Sequence, residues 1–133
     1  MGRANLKILY VDDSTTILDM LASSLIELGY LDTKSAEDGI EALALCEEEE
    51  FDLIITDINM PNMNGFEFIE NLRNKYNYMS TPILVLTTES SDEMKEKGYQ
   101  VGATSWMVKP FTTTLLGASI EKTIEKTEQV DNF

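Results

Sequence analysis

The run FDLIITDINMPNMNG, residues 51–65, decides the fold of this chain. Asp52 leads into Leu53-Ile54-Ile55, a short apolar run rich in β-branched residues that meets Thr56-Asp57. Such a run suits a strand buried on both faces, although periodicity alone also fits a buried helix. If it is a strand, Asp57 stands at its C-terminal end, where open parallel sheets bind their ligands. Met60-Pro61 and Asn64-Gly65 follow and are turn-forming, so the strand must stop there. A lone aspartate in such a place reads first as a helix cap or a turn residue. Asp57 is not alone.

The chain has 133 residues, of which 43% are hydrophobic, enough for one domain with a sizeable core. Its apolar runs are far shorter than the ~18 residues that span a bilayer, and no basic segment precedes an apolar one at the N-terminus, so neither an anchor nor a signal peptide is expected. Cys46 is the single cysteine and there is no histidine. An internal disulfide and a Cys/His zinc site are thereby excluded, and a cytoplasmic setting is favoured. Ten basic against 24 acidic residues give a formal charge of −14, which argues against nucleic acid or an anionic membrane as partner.

Upstream, residues 6–11 (LKILYV) form a candidate strand ending at Asp12-Asp13. Ser14 or Thr15 caps a helix in which Ile17, Leu18, Leu21, Ala22, Leu25 and Leu28 recur at helical spacing, closed by Gly29. Residues 30–35 make a weaker, polar strand suited to an edge. Asp38 and Glu41 cap the next helix, with Ile40, Leu43 and Cys46 inward and the acidic run Glu47 to Glu50 as its solvated end. Downstream, residues 65–75 form a helix burying Phe66, Phe68, Ile69 and Leu72, and residues 74–81 form a polar loop. Pro82 opens the strand Ile83 to Leu86, which ends at Thr87-Thr88. Ser90 and Glu93 read as a capping box for a helix from Asp92 to about Gln100, loosened by Gly98 in its interior. Trp106 to Val108 is a short last strand ending at Lys109-Pro110. The last helix runs from about Thr113 to Glu128, with Leu116, Ile120 and Ile124 on one face. Five strand–helix repeats imply an α/β, doubly wound five-stranded parallel sheet in one domain over residues 5–127, with residues 128–133 as a tail.

The ends of strands one, three, four and five then bring Asp12, Asp13, Asp57, Thr87 and Lys109 to one edge. Each pair of carboxylates at ~4 Å costs on the order of 4 kcal/mol at an effective dielectric near 20. Lys109 offers one compensating charge, and a hard divalent cation would supply the rest. An all-oxygen ligand set favours Mg²⁺, with Mn²⁺ as a substitute. A metal, a hydroxyl and an ammonium around a carboxylate make a phosphoryl site, with Asp57 as nucleophile and Thr87 and Lys109 binding phosphoryl oxygens.

With these residues assembled, the chain resembles the receiver domain of two-component response regulators. The resemblance is carried by Asp12-Asp13-Ser14, by Asp57-x-x-Met60-Pro61-x-Met63-x-Gly65, by Thr87 and by Lys109-Pro110-Phe111, with Asp38-Gly39-x-Glu41-Ala42-Leu43 and Gly102-Ala103 in support. It covers roughly residues 5 to 127 and is greatest to the single-domain chemotaxis (CheY-like) type, whose flavodoxin-like sheet has strand order 2-1-3-4-5. The resemblance implies phosphorylation of Asp57 by a histidine kinase, with Mg²⁺ held by Asp13, Asp57 and the main-chain carbonyl of Asn59, and Asp12 acting through water. It also implies a cis Lys109–Pro110 bond, and a switch in which Thr87 moves toward the phosphoryl group and Trp106 turns inward. Asn59 and Glu89 occupy positions that in this family tune phosphoryl lifetime, and the resemblance implies the same role here. Tryptophan at 106 departs from the usual tyrosine or phenylalanine. Output would be phosphorylation-dependent protein binding in chemotaxis, to a flagellar motor switch protein or a phosphatase, or service as a phosphate sink. Lys95, Tyr99, Trp106 and Lys122 are the candidate partner face.

Three other readings compete. One is a phosphorelay intermediate. Another is a Mg²⁺-dependent aspartyl phosphatase of the haloacid dehalogenase type, which needs a second acid two residues after its nucleophile; Asn59 stands there after Asp57, and Ser14 after Asp12. The third is a flavin carrier, which needs a Ser/Thr-rich phosphate loop after the first strand, where this chain has Val11-Asp12-Asp13.

Overall fold

Apolar strands and amphipathic helices alternate through the chain. The order is β1 (Lys7–Val11), α1 (Thr15–Glu27), β2 (Asp32–Ala36), α2 (Gly39–Glu48), β3 (Leu53–Thr56) and α3 (Gly65–Arg73), then β4 (Ile83–Thr87), α4 (Asp92–Val101), β5 (Ser105–Val108) and α5 (Thr113–Asp131). This computed structural model describes residues 5–131. The four strand ladders are parallel and the sheet order is β2-β1-β3-β4-β5, the doubly wound arrangement expected.

The two-residue period of a strand divides the core into two layers. Leu9, Val11, Ile54, Ile83 and Val85 face one way, joining Phe66, Phe68, Ile69 and Leu72 of α3 and Ala42 and Cys46 of α2. Ile8, Tyr10, Leu53, Ile55, Leu84 and Leu86 face the other, against Leu21 and Leu25 of α1 and Leu116, Ile120 and Ile124 of α5. The helix after β1 therefore lies on one face and the helix after β3 on the other. That reversal opens a crevice at the carboxyl ends of these adjacent strands, and Asp12 and Asp57 are the first residues beyond them.

Local chemistry fixes the helix starts. Ser14, Asp38 and Asn64 accept hydrogen bonds from the backbone N–H groups of Ile17, Glu41 and Glu67. Asn64 and Glu67 complete a capping box at α3. The α4 cap is Ser91, which accepts from Met94, and not the expected Ser90. A serine serves where its oxygen meets the third following amide, and the helix begins at Asp92.

Other expectations shift. Ile40, expected inward, is 55% exposed, because α2 turns the small residues Ala42 and Cys46, four apart, against the sheet. Tyr30 precedes β2 and is buried in the α1–α5 layer, so the edge strand starts two residues later than expected. The acidic end of α2 is not merely solvated: Glu49 pairs with Lys7 at 3.0 Å and with Lys34, and Glu47 with Lys75 at 3.2 Å. α5 continues through Asp131, into the expected tail, whose last two residues lie outside the described ones.

The polar loop before β4 carries a 3-10 turn, Tyr76–Tyr78, and Tyr78 is fully buried. Its hydroxyl accepts from Phe51 N–H at 3.1 Å and lies 2.9 Å from the Glu49 carbonyl and 3.2 Å from that of Cys46, joining α2 to β3. Tyr78→Phe would leave the buried Phe51 N–H without that acceptor. The expected loss is about 1–3 kcal/mol of unfolding free energy, measured as a lower urea midpoint at unchanged slope. Burial also pushes the Cys46 thiol up to about 11, which makes the lone cysteine an inert core residue.

Candidate functional site

The turn after β3 delivers Asp57 to the crevice. Its amide donates to the Val11 carbonyl at 3.0 Å, so the last bond of the β1–β3 edge also anchors this residue. Met63 N–H closes on the Pro61 carbonyl at 2.7 Å around Asn62, whose φ of 67° is tolerable for an asparagine. Gly65 N–H then returns to the Ile58 carbonyl at 2.9 Å. A Cβ at Gly65 would lie 2.2 Å from the Asp57 carbonyl oxygen, so the close return requires glycine.

Asp57 Oδ1 accepts from Ile58 N–H at 2.6 Å and from Asn59 N–H at 3.4 Å. Asp57 Oδ2 accepts from Lys109 Nζ at 2.9 Å, and the same ammonium donates to Asp12 Oδ2 at 2.7 Å. Asp12 Oδ1 is held by Ser14 N–H at 2.9 Å. Lys109 reaches this position from the end of β5, where its own N–H bonds the Thr87 carbonyl at 2.8 Å and the Lys109–Pro110 bond is cis, as expected. Burial pushes the Asp12 carboxyl above its ordinary pKa, against the opposing pull of Lys109 and the Ser14 amide. Burial alone would lower Lys109, but its hydrogen bonds to Asp12 and Asp57 outweigh that and hold the ammonium above its ordinary value.

Asp13 completes the acidic group. It is exposed while Asp12 and Asp57 are buried, and the three offer carboxylate oxygens within 4.8 Å of one another. One lysine cannot balance three carboxylates at that distance. An all-oxygen set with one exposed member open to solvent fits a hard cation such as Mg²⁺, which keeps water ligands.

A sequence profile of the response regulator receiver domain matches residues 8–121. The chain belongs to the response regulator receiver family. The receiver is 35% identical over 122 residues to chemotaxis protein CheY-3 of Vibrio cholerae, covering 92% of this chain and 94% of that one. It is likewise 35% identical to chemotaxis protein CheY of Pseudomonas aeruginosa, with 91% and 98% covered. Among solved structures, chemotaxis response regulator CheY4 of Vibrio cholerae superposes with a TM-score of 0.79 at 46% identity, covering 92% of this chain and 98% of that one. A CheY-like receiver domain protein from Methanospirillum hungatei gives 0.84 at 31%, with 94% and 98% covered.

Around the receiver's acidic group, Thr87 is buried at the end of β4, and its Oγ1 accepts from Glu89 N–H at 3.4 Å. Asn59 and Glu89 lie on loops after different strands and are joined by a 3.0 Å bond from Asn59 Nδ2 to Glu89 Oε1. Trp106 is half-buried, and its indole N–H donates to the Glu89 carbonyl at 2.9 Å. Its ring stacks with Phe66, centroids 6.5 Å apart, and lies where a Cβ at Gly98 would come within 2.5 Å. The glycine inside α4 is therefore what lets the indole lie against that helix.

Of the candidate partner face, Tyr99, Trp106 and Lys122 line one recess between α4, β5 and α5, whereas Lys95 stands on α4 outside it. Sequence reasoning passed over Arg73. Its guanidinium donates to the Gly102 carbonyl at 2.7 and 3.0 Å and to the Tyr78 carbonyl at 2.7 Å, fixing the C-terminal end of α4 to α3. Burial pulls its pKa down to about 10. A surface-type arginine at a helix end carries no sequence mark of such burial. Among the described residues no helix is long and apolar enough to cross a membrane.

Proposed function

We propose that the receiver is a phosphoacceptor signalling module in chemotaxis, acting in the cytoplasm. In this reading a histidine kinase phosphorylates Asp57, and the consequence is a change in protein binding rather than turnover of a substrate. The observation that carries the reading is the placement of Lys109 Nζ between Asp12 and Asp57, two buried carboxylates at neighbouring strand ends. An ammonium so placed meets the oxygens of a group transferred to Asp57 without having to be recruited.

An Asp57 carboxylate oxygen attacks the phosphorus of a phosphohistidine. The O–P bond forms, the N–P bond breaks, and the imidazole nitrogen keeps the electron pair and takes a proton from solvent. Lys109 binds one phosphoryl oxygen, and the Thr87 hydroxyl donates to another once it turns from Glu89 N–H. Asp13, Asp57 and the Asn59 carbonyl would hold Mg²⁺ directly and Asp12 through water, and the bound ion supplies positive charge against the phosphoryl oxygens. Asn59 and Glu89, bonded to each other two residues beyond Asp57 and Thr87, stand in the path of hydrolytic water and set the lifetime of the acyl phosphate. Movement of Thr87 disturbs its contact with Glu89 N–H, and the Glu89 carbonyl passes the change to Trp106. The face bearing Lys95, Tyr99, Trp106 and Lys122 then alters its preference for a flagellar motor switch protein or a phosphatase, or serves the kinase as a phosphate sink.

Intact-mass measurement after incubation with acetyl phosphate tests this. One labile phosphoryl group is expected with Mg²⁺, and none without it or in Asp57→Asn. Asn59→Ala and Glu89→Ala are expected to load normally and lose the group at altered rates. Loading of Asp57→Asn would overturn the assignment, and unaltered decay in both other variants would remove their role.

A further inference from the structure

We propose that β2 is a self-association edge, at which two copies of this chain join antiparallel, with a two-fold axis at Thr33, into one continuous sheet. The surface lies at the opposite side of the sheet from β5, and its use does not depend on the chemistry of Asp57.

β2 closes one side of the sheet and pairs with β1 alone. Ala36 turns its carbonyl to β1, where it accepts from Asp12 N–H at 3.1 Å. Backbone polar groups alternate sides along a strand, so those of Asp32 and Lys34 also point to β1, and those of Thr33 and Ser35 point away from the sheet. An outward row of this kind is a template for another strand. Leu31, directly before the strand, is 70% exposed, and Ile26 and Ile40, on the helices that enter and leave it, are 63% and 55% exposed. Apolar side chains therefore accompany the open backbone.

Charge selects the register. In a regular antiparallel pair, opposed residues both point their backbone groups into the ladder or both away from it, so the two-fold axis falls at a residue facing its own copy. An axis at Asp32 sets two carboxylates against each other, and one at Lys34 sets two ammonium groups, both unfavourable. An axis at Ser35 puts Lys34 opposite Ala36 and carries Asp32 beyond the pairing. At Thr33, whose backbone groups point outward, Asp32 of each copy meets Lys34 of the other, and Leu31 meets Ser35. A lysine on an edge strand ordinarily blocks pairing. Here the second copy supplies its acid. Lys34 already pairs with Glu49, yet its side chain is half exposed, and an ammonium has three donors. Each chain carries a formal charge of −14, so general repulsion opposes association and these local pairs decide where it occurs. The joined strands run in opposite directions, which puts the two acidic groups at opposite ends of the sheet and leaves both open.

Sedimentation velocity of the unphosphorylated protein is expected to show a concentration-dependent shift toward twice the chain's mass. The shift should be lost in Lys34→Asp and restored in Asp32→Lys/Lys34→Asp, where the two charges are exchanged. Both variants lack the Lys34–Glu49 pair, so the restoration reports on the interface and not on that contact. Cross-linking fixes the register independently, because Cys46 is buried and adds no reactive thiol. Under mild oxidation Thr33→Cys is expected to form a disulfide dimer, its Cα atoms facing at about 5.5 Å, inside the range a disulfide spans. Ser35→Cys is expected to form none, since the two copies of that residue lie about 13 Å apart along the strands. A mass that stays monomeric at every concentration overturns the proposal. So does association undiminished in Lys34→Asp, which would belong to another face, and so does equal cross-linking by the two cysteine variants.

Discussion

Lys109→Met is expected to unfold more easily by about 3–5 kcal/mol in the absence of divalent cation, and to recover much of that loss in Mg²⁺. The substitution keeps the bulk of the lysine stem and deletes the one ammonium between Asp12 and Asp57, which are 2% and 6% exposed. Removing one partner of a buried ionic group leaves charge without compensation, which is why the cost exceeds that of a surface pair. A cation bound by the folded state stabilises it by mass action, so the midpoint of the variant should rise with Mg²⁺ more steeply than that of the wild type. The sign with pH follows from the same groups. The Asp12 pKa is raised in the folded state above its ordinary 3.8, so the folded form binds that proton first and gains on the unfolded one as pH falls through that window. Without Lys109 the window extends to higher pH, and the variant's deficit should narrow on acidification. In the wild type, the raised Lys109 pKa contributes stability that is fully present below 10.5 and lost as pH rises through its folded value. Denaturant melts at several pH values, with and without Mg²⁺, check all of this. A deficit insensitive to both would mean that Lys109 contributes by packing alone.

Gly65→Ala should damage stability and phosphoryl uptake together. A Cβ there meets the Asp57 carbonyl oxygen at 2.2 Å and the Ile58 Cα at 2.8 Å. Both are backbone atoms, so relief requires moving the turn that carries Asp57. Overpacking of this kind costs about 1–3 kcal/mol and more where the neighbour cannot yield. The same shift would pull Asp57 from Lys109 and from the Ile58 amide. Uptake from acetyl phosphate should therefore fall at protein concentrations and temperatures where the variant remains folded by circular dichroism. A folded variant that loads at the wild-type rate would show that the turn relaxes away from the site.

The sheet and the acidic group were legible in the sequence because each rests on short-range chemistry. Leu53 to Ile55 could be placed by apolarity together with the turn residues that end the run, and Asp57 stood out because two acids and a lysine end other strands of the same sheet. Helix phase was less legible. Ile40 is the more apolar residue, but close approach to the sheet favours small Ala42, and hydrophobicity does not encode distance. Adjacent serines at 90 and 91 are equivalent as capping residues, and the path of the chain after Thr87 chooses between them. Tyr78 and Arg73 lie in polar surroundings in the sequence, and contacts with residues distant along the chain, at Phe51 and Gly102, bury the first and partly bury the second. What sequence reading could not supply was therefore mostly non-local: which polar atoms end up with no water and which partner each receives.

The receiver contains one tryptophan, and it is the residue bonded to Glu89 and laid across Gly98. All indole emission from this protein consequently originates at the junction between the acidic group and the recess. On the proposed reading, in which Trp106 turns when Asp57 is phosphorylated, that emission would follow the event without dye or label, and no second tryptophan would dilute the signal. A stopped-flow trace of it would then time the movement of a single side chain.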